Sequence, residues 1–395
     1  MKKIAFALEN FSRYAGGAES YAISLATFLI KNGWEVHFFG GAWDGEPEST
    51  IFHKITIPKY LPAWLKLVLF AFYHKKEVKK QNFDVILGFG NTLYMNVYQS
   101  HGGVHWLSVK RRVYSEKSKI KRVIKRLIIL LSLKQWARAW IESAPFRLYP
   151  RPRIVAISQM IKEDISSFFK VKRKDITVIY NGVDTDRYNS NLLNDHKGLL
   201  RRQLGIGEND VVFLFVAYAL KKKGIETLME AVYQLKQIGI TNFKVIVAGG
   251  MPYKALSRQI RTFDIENKIL FPGAVRSIET YYANSDVFVL PTYYDACSLV
   301  VMEAMASGLP TITTTANGAA GIIHDGKDGY IISHPPGSLD LAKKMQMLLD
   351  DEKRHEMSSE ALCTGQQYSA EKNHQEMLRI FEEVKALKIS KCLGF

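Results

Sequence analysis

Short, unbroken apolar runs alternate along this chain with longer stretches in which apolar residues recur every three or four positions. Residues 3–8, 35–39, 84–89, 153–157 and 176–179 read as strands, with a further short strand near 96–99. The first is followed by Gly16-Gly17 and a helical pattern over about 18–32 that Gly33 closes. Continuous apolar strands separated by helices imply a parallel sheet covered on both faces. The pattern lapses in a polar, non-periodic stretch at 184–197 and then restarts. Residues 211–217, 244–248, 269–271, 287–290, 311–314 and 330–332 read as strands of a second sheet, with a helix over 224–237. The expected architecture is α/β, two Rossmann-like domains joined by a linker near 186–198. The expected domains are 1–187 and 188–374. A last helix, around 371–387, follows, and residues 375–395 are expected to pack back on the first domain.

Two segments depart from this alternation. Residues 110–138 hold eleven Lys/Arg against the single acid Glu116, interleaved with Val123, Ile124, Leu127, Ile128, Leu131 and Trp136 and preceded by Trp106. Residues 60–80 join an apolar block, 61–72, to four lysines. Both read as basic amphipathic helices, a pattern that suits an anionic membrane surface.

The formal net charge is +16, and it is not spread evenly. Residues 1–190 carry 31 Lys/Arg and 15 Asp/Glu, whereas residues 191–395 carry 23 of each. The whole excess lies in the first half, which points to an anionic partner there. Composition is otherwise that of a globular chain, 47% apolar and 23% charged. Cys297, Cys363 and Cys392 give neither a disulfide framework nor a metal-ligand spacing, which fits a reducing cytosol. The apolar start ends at Glu9-Asn10 without a small-residue cleavage site, and no apolar run reaches the roughly 20 residues that span a bilayer. The expected location is cytoplasmic, peripheral on the inner face of the cytoplasmic membrane.

The candidate chemistry lies at strand ends. Gly16-Gly17 after the first strand lets the backbone approach a ligand at a helix N-terminus, where an anion is favoured; a plain tight turn has the same look. There is no G-x-G-x-x-G, which disfavours a dinucleotide dehydrogenase. Lys221-Lys222-Lys223-Gly224 follows the strand 211–217, where cations can clamp a diphosphate and stabilise it as a leaving group. The alternative is a solvated lysine run. Asp295 and Glu303 stand eight positions apart, one in a loop and the other inside the helix that the loop opens. Such a pair can hold a sugar through the loop acid and ribose hydroxyls through the helix acid; taken alone, Glu303 reads as an ordinary helix carboxylate.

Together these residues resemble the retaining glycosyltransferases of the GT-B fold, in the family marked by an E-x7-E motif. The resemblance spans nearly the whole chain. It rests on G-G-A-E (Gly16–Glu19), N-G-V-D (Asn181–Asp184), K-K-K-G, the acid-x7-acid pair and E-A-M-A-S-G-L-P (Glu303–Pro310). Within the family it is nearest to the enzymes that glycosylate the lipopolysaccharide core, such as the one adding the first core glucose. The resemblance implies two Rossmann-like domains facing across a cleft. A hexose would pass, with retention and without metal, from a UDP-sugar or a GDP-sugar to a membrane-associated, lipid-linked or anionic glycan. No separate cofactor is expected.

By motif, Gly16 and Gly17 would face the donor phosphate, Glu19 of the same G-G-A-E run would be a substrate-binding residue, and Lys222 and Lys223 would bind the diphosphate. Asp295 would contact the sugar, with Ala296, Cys297, Ser298 and Leu299 supplying backbone N–H groups. Glu303 would hold the ribose, and His101 would lie over the sugar. Three positions depart from the family pattern: Asp295 where Glu is usual, Lys222 where Arg is usual, and Cys297-Ser298 where a small residue and Gly are common. Two other readings stay open, a GT-B enzyme with a soluble acceptor and a non-enzymatic polyanion-binding protein. The latter explains the charge segregation but not Asp295 and Glu303, and no nucleic-acid recognition motif is visible.

Overall fold

The strands form where the chain offers consecutive residues that can be buried on both faces. In a computed structural model that describes residues 2–12, 17–44, 49–189 and 198–392, two parallel sheets are built in this way. The chain divides into two compact units, residues 1–181 with 370–395, and residues 182–369.

The first unit holds β1 (Lys2–Ala7), β2 (Asn10–Ser12), β3 (Trp34–Gly40), β4 (Ala42–Asp44), β5 (Thr50–Lys54), β6 (Val85–Gly88), β7 (Val97–Ser100), β8 (Arg153–Ala156) and β9 (Ile176–Val178). Seven of them make one sheet in the order β5-β3-β1-β6-β7-β8-β9, and β2 pairs with β4 separately. Ile4, Phe6, Val36, Phe38, Val85 and Leu87 form the centre of its core. Helix α1 (Gly17–Lys31) buries Tyr21, Ala22, Leu25, Ala26 and Leu29 against that centre. The last helix, Ala370–Cys392, adds Met377, Ile380 and Phe381 to the same cluster. Packing thereby returns the end of the chain to the unit in which it began.

Strand β5 and the β2–β4 pair fall outside the sequence expectation. Strand β5, Thr-Ile-Phe-His-Lys, is a half-exposed edge strand with no apolar run to announce it. The second departure concerns residues 110–138, which do not form one amphipathic rod. They lie across α3 (His105–Arg112), α4 (Lys119–Leu130) and α5 (Leu133–Glu142). The break before α4 is set by Ser118, whose hydroxyl accepts the Lys121 N–H at 3.4 Å. The stretch 60–80 contains a single helix, α2 (Ala63–Val78).

The second unit holds β10 (Val211–Ala217), β11 (Phe243–Gly249), β12 (Ile269–Gly273), β13 (Val287–Leu290), β14 (Thr311–Thr314) and β15 (Gly329–Ile332). They lie in the order β12-β11-β10-β13-β14-β15, all parallel. The order reverses direction between β10 and β13. Crevices at such switch points, outside the carboxyl ends of the strands, are where open α/β sheets bind ligands. In the first unit the equivalent reversal falls between β1 and β6. No helix among the described residues is long and apolar enough to cross a membrane.

Candidate active site

In the second unit the switch point brings two sequence motifs together. The loop after β10 carries Lys221-Lys222-Lys223-Gly224, and the loop after β13 carries Asp295. They are stitched by backbone: the Tyr293 N–H donates to the Lys222 carbonyl at 3.1 Å. Gly224 makes the close approach possible. Its φ is +86°, and a Cβ there would stand 1.9 Å from the Pro291 carbonyl oxygen. The Lys223 ammonium is ion-paired with Asp295 Oδ2, both side chains being partly exposed. An ammonium has three donors, so Lys223 can hold Asp295 and still meet a phosphate oxygen.

The loop after β14 completes this arrangement through Asn317, which no motif singled out. Asn317 is 1% exposed. Its Oδ1 accepts the Ser298 and Ala319 N–H groups at 3.3 and 3.1 Å, and its Nδ2 donates to Thr313 Oγ1 at 3.0 Å. The Asp295 N–H donates to the Ala316 carbonyl at 3.0 Å, and the Gly318 N–H to the Asp295 carbonyl at 2.8 Å. In this structure the Asp295 and Ser298 N–H groups, two of those in the loop, are therefore turned towards the β14 loop. The only sequence signal at Asn317 is Asn-Gly, which marks a turn and not a role. Cys297 is buried, its Sγ 3.9 Å from Met302 Sδ.

Ser298 precedes the helix Leu299–Ala306, and Glu303 lies in the middle of that helix. Glu303 Oε2 accepts the Tyr282 hydroxyl at 2.9 Å. Burial raises the Glu303 pKa above the ordinary carboxylate value, opposed by the Tyr282 hydrogen bond and the Arg187 guanidinium and reinforced by Glu279. A largely enclosed carboxylate that receives a single side-chain hydrogen bond among the described residues keeps acceptor capacity that ligand hydroxyls can fill.

The first unit places its candidates at the carboxyl edge of its own sheet. Gly17 and Glu19 lie in the first turn of α1, while Gly16 lies outside the described residues. His101 follows β7, its ring 4.7 Å from that of Tyr21 and 5.0 Å from that of Phe89. Its enclosed Nε2 has no hydrogen-bond partner among the described residues, and burial pushes its pKa down to about 3. The ring is a neutral imidazole at working pH, a hydrogen-bonding group and not a proton donor of ordinary strength.

Each unit answers to a glycosyltransferase family model. Residues 15–187 match Glycosyltransferase Family 4, and residues 197–364 match Glycosyl transferases group 1. An uncharacterized glycosyltransferase of Methanocaldococcus jannaschii is 25% identical over 333 residues, 83% of this chain and 84% of that one. The lipopolysaccharide glucosyltransferase WaaG of Escherichia coli is 20% identical over 333 residues, 84% of this chain and 85% of its own. The crystal structure of WaaG superposes with a TM-score of 0.80 at 19% identity, covering 96% of this chain and 99% of that chain. That of HepE from Anabaena in complex with UDP-glucose gives 0.68 at 18% identity, covering 97% and 100%. These matches set aside the reading of a non-enzymatic polyanion-binding protein: the chain is a group 1 glycosyltransferase of the GT-B fold.

Proposed function

We propose that this enzyme moves a hexose, with retention and without a metal ion, from a nucleoside-diphosphate sugar to a lipid-linked, anionic glycan of the lipopolysaccharide-core type. The observation that carries the donor assignment is the Lys223–Asp295 pair beside Lys222 at the switch point, with Glu303 in the helix that follows. Lys222 and Lys223 neutralise the diphosphate as its charge grows. Asp295 accepts hydrogen bonds from the hexose, and Glu303 accepts them from the ribose. HepE, with the same fold, is seen with UDP-glucose, which supports a UDP-sugar donor.

The acceptor hydroxyl attacks the anomeric carbon on the face the diphosphate leaves. The C–O bond to the diphosphate breaks, the new glycosidic bond forms, and a diphosphate oxygen takes the hydroxyl proton. The protein contributes position and electrostatic stabilisation to this step. On the first unit, the neutral His101, whose enclosed Nε2 has no hydrogen-bond partner among the described residues, is the candidate for contact with a sugar hydroxyl.

The lipid-linked acceptor is supported by α4. None of its residues is buried, and Ile120, Val123, Ile124, Leu127 and Ile128 are each at least half exposed beside Lys119, Lys121 and Arg126. Apolar side chains on a cationic helix suit the interface of an anionic bilayer, where each basic residue adds about 1 kcal/mol. WaaG acts, by its name, on lipopolysaccharide.

Thermal shift across UDP- and GDP-sugars, repeated for Asp295→Ala and Glu303→Ala, tests the donor site. Loss of the shift in both variants is expected; wild-type shifts in both would undo the assignment. Transfer is expected to survive chelation of divalent ions. Co-sedimentation with anionic but not neutral vesicles is expected, and equal pelleting with both would remove the electrostatic part of the docking.

A further inference from the structure

Glu303 is held by residues that no motif names. Tyr282, on the helix Ile278–Ala283, is 1% exposed, and its hydroxyl lies 2.9 Å from Glu303 Oε2 and 3.3 Å from the Val300 carbonyl oxygen. Tyr188 packs edge-on against the Tyr282 ring, centroids 5.6 Å apart. Arg187 lies 5.3 Å from the Tyr188 ring and pairs with Glu279 at 2.9 Å. Glu303 thus faces a phenol that donates to it, a cation already shared with another acid, and no ion-pair partner of its own among the described residues.

An enclosed carboxylate in this setting has two ways to fail. It can swing out of register, or it can take up a proton and lose the charge that makes its hydrogen bonds strong. The Tyr282 hydroxyl opposes both, because it fixes Oε2 and favours the ionised form. We propose that Tyr282 is a positioning residue for the donor site: its hydroxyl holds the Glu303 carboxylate in the orientation that receives the ribose hydroxyls. This rests on the reading of Glu303 as the ribose ligand. Arg187 assists through its field, and Glu279 works against it.

The test is UDP binding by titration calorimetry between pH 6 and 8.5, on the full chain, for wild type, Tyr282→Phe, Glu303→Gln and the double variant. Tyr282→Phe is expected to weaken UDP on the order of tenfold at pH 6.5, the cost of one hydrogen bond to a charged group. In the Glu303→Gln background the same substitution should change nothing further, since the two act as one unit. A loss equal with and without Glu303 would overturn the proposal and leave Tyr282 as core packing. Wild-type affinity in Glu303→Gln alone would instead overturn the ribose assignment and the proposal with it. If thermal melts show Tyr282→Phe to be unfolded, the cycle is run with Tyr282→Leu in its place, and a loss equal with and without Glu303 again overturns the proposal.

Discussion

Gly224→Ala places a single methyl group at the point where the two donor loops touch. The backbone there has φ +86°, in the left-handed region that costs a residue with a Cβ about 1–2 kcal/mol. The new Cβ would stand 1.9 Å from the Pro291 carbonyl oxygen and 3.1 Å from the Pro291 Cγ. Neither partner is a flexible chain end. One backbone or the other must retreat by about 1 Å before the contact resembles any found in proteins. Overpacking of this kind costs roughly 1–3 kcal/mol, so the substitution should destabilise the second unit by about 2–5 kcal/mol in all. The functional loss should be larger than stability alone explains. The retreat separates the loop bearing Lys222 and Lys223 from the loop bearing Asp295, and an error of about 1 Å can cost on the order of 100-fold in rate. Urea unfolding followed by circular dichroism gives the first quantity, and nucleoside-diphosphate release from the donor found by screening gives the second. Unfolding within about 0.5 kcal/mol of wild type, together with unchanged turnover, would refute the reasoning.

Asn317→Ala leaves the Ser298 and Ala319 N–H groups without their acceptor; a loss of about 2–4 kcal/mol is expected by urea unfolding, with weaker UDP binding. Phe381→Ala removes a fully buried ring of the last helix from the core of the first unit, and about 3–5 kcal/mol should be lost; proteolysis should open that unit before the second. Acid should weaken the first unit selectively. Burial pushes His74, His105 and His374 down to about 4, with the Arg138 and Arg112 charges adding to burial at His105. All three refuse protons that the unfolded chain accepts below about 6.5. Each then costs about 1.4 kcal/mol per pH unit as pH falls from about 6.5 towards 4. Glu142, pushed up to about 8 by burial, acts in the opposite sense over the range in which only its folded form is protonated. Urea midpoints at pH 7, 6 and 5 should fall in that order, and a flat series would contradict the burial of these rings.

The sequence by itself determined the architecture and most of the candidate chemistry. Apolar runs such as 211–217 and 287–290 are legible because strands buried on both faces need no partner to explain their composition. Gly224, Lys222, Lys223, Asp295 and Glu303 were legible because each sits at a strand end or a fixed spacing. Tertiary structure decided what pairing and packing alone can decide. Strand β5 exists because β3 offers it an edge, not because Thr-Ile-Phe-His-Lys prefers to be extended. Residues 110–138 look continuous in charge and periodicity, yet local capping at Ser118 breaks them. Asn317 and Tyr282 gained their places from contacts 19 and 21 residues away in sequence, with Ser298 and Glu303. A buried amide or phenol acquires a role from the groups that surround it. No run of neighbouring residues can display those surroundings before the chain has folded.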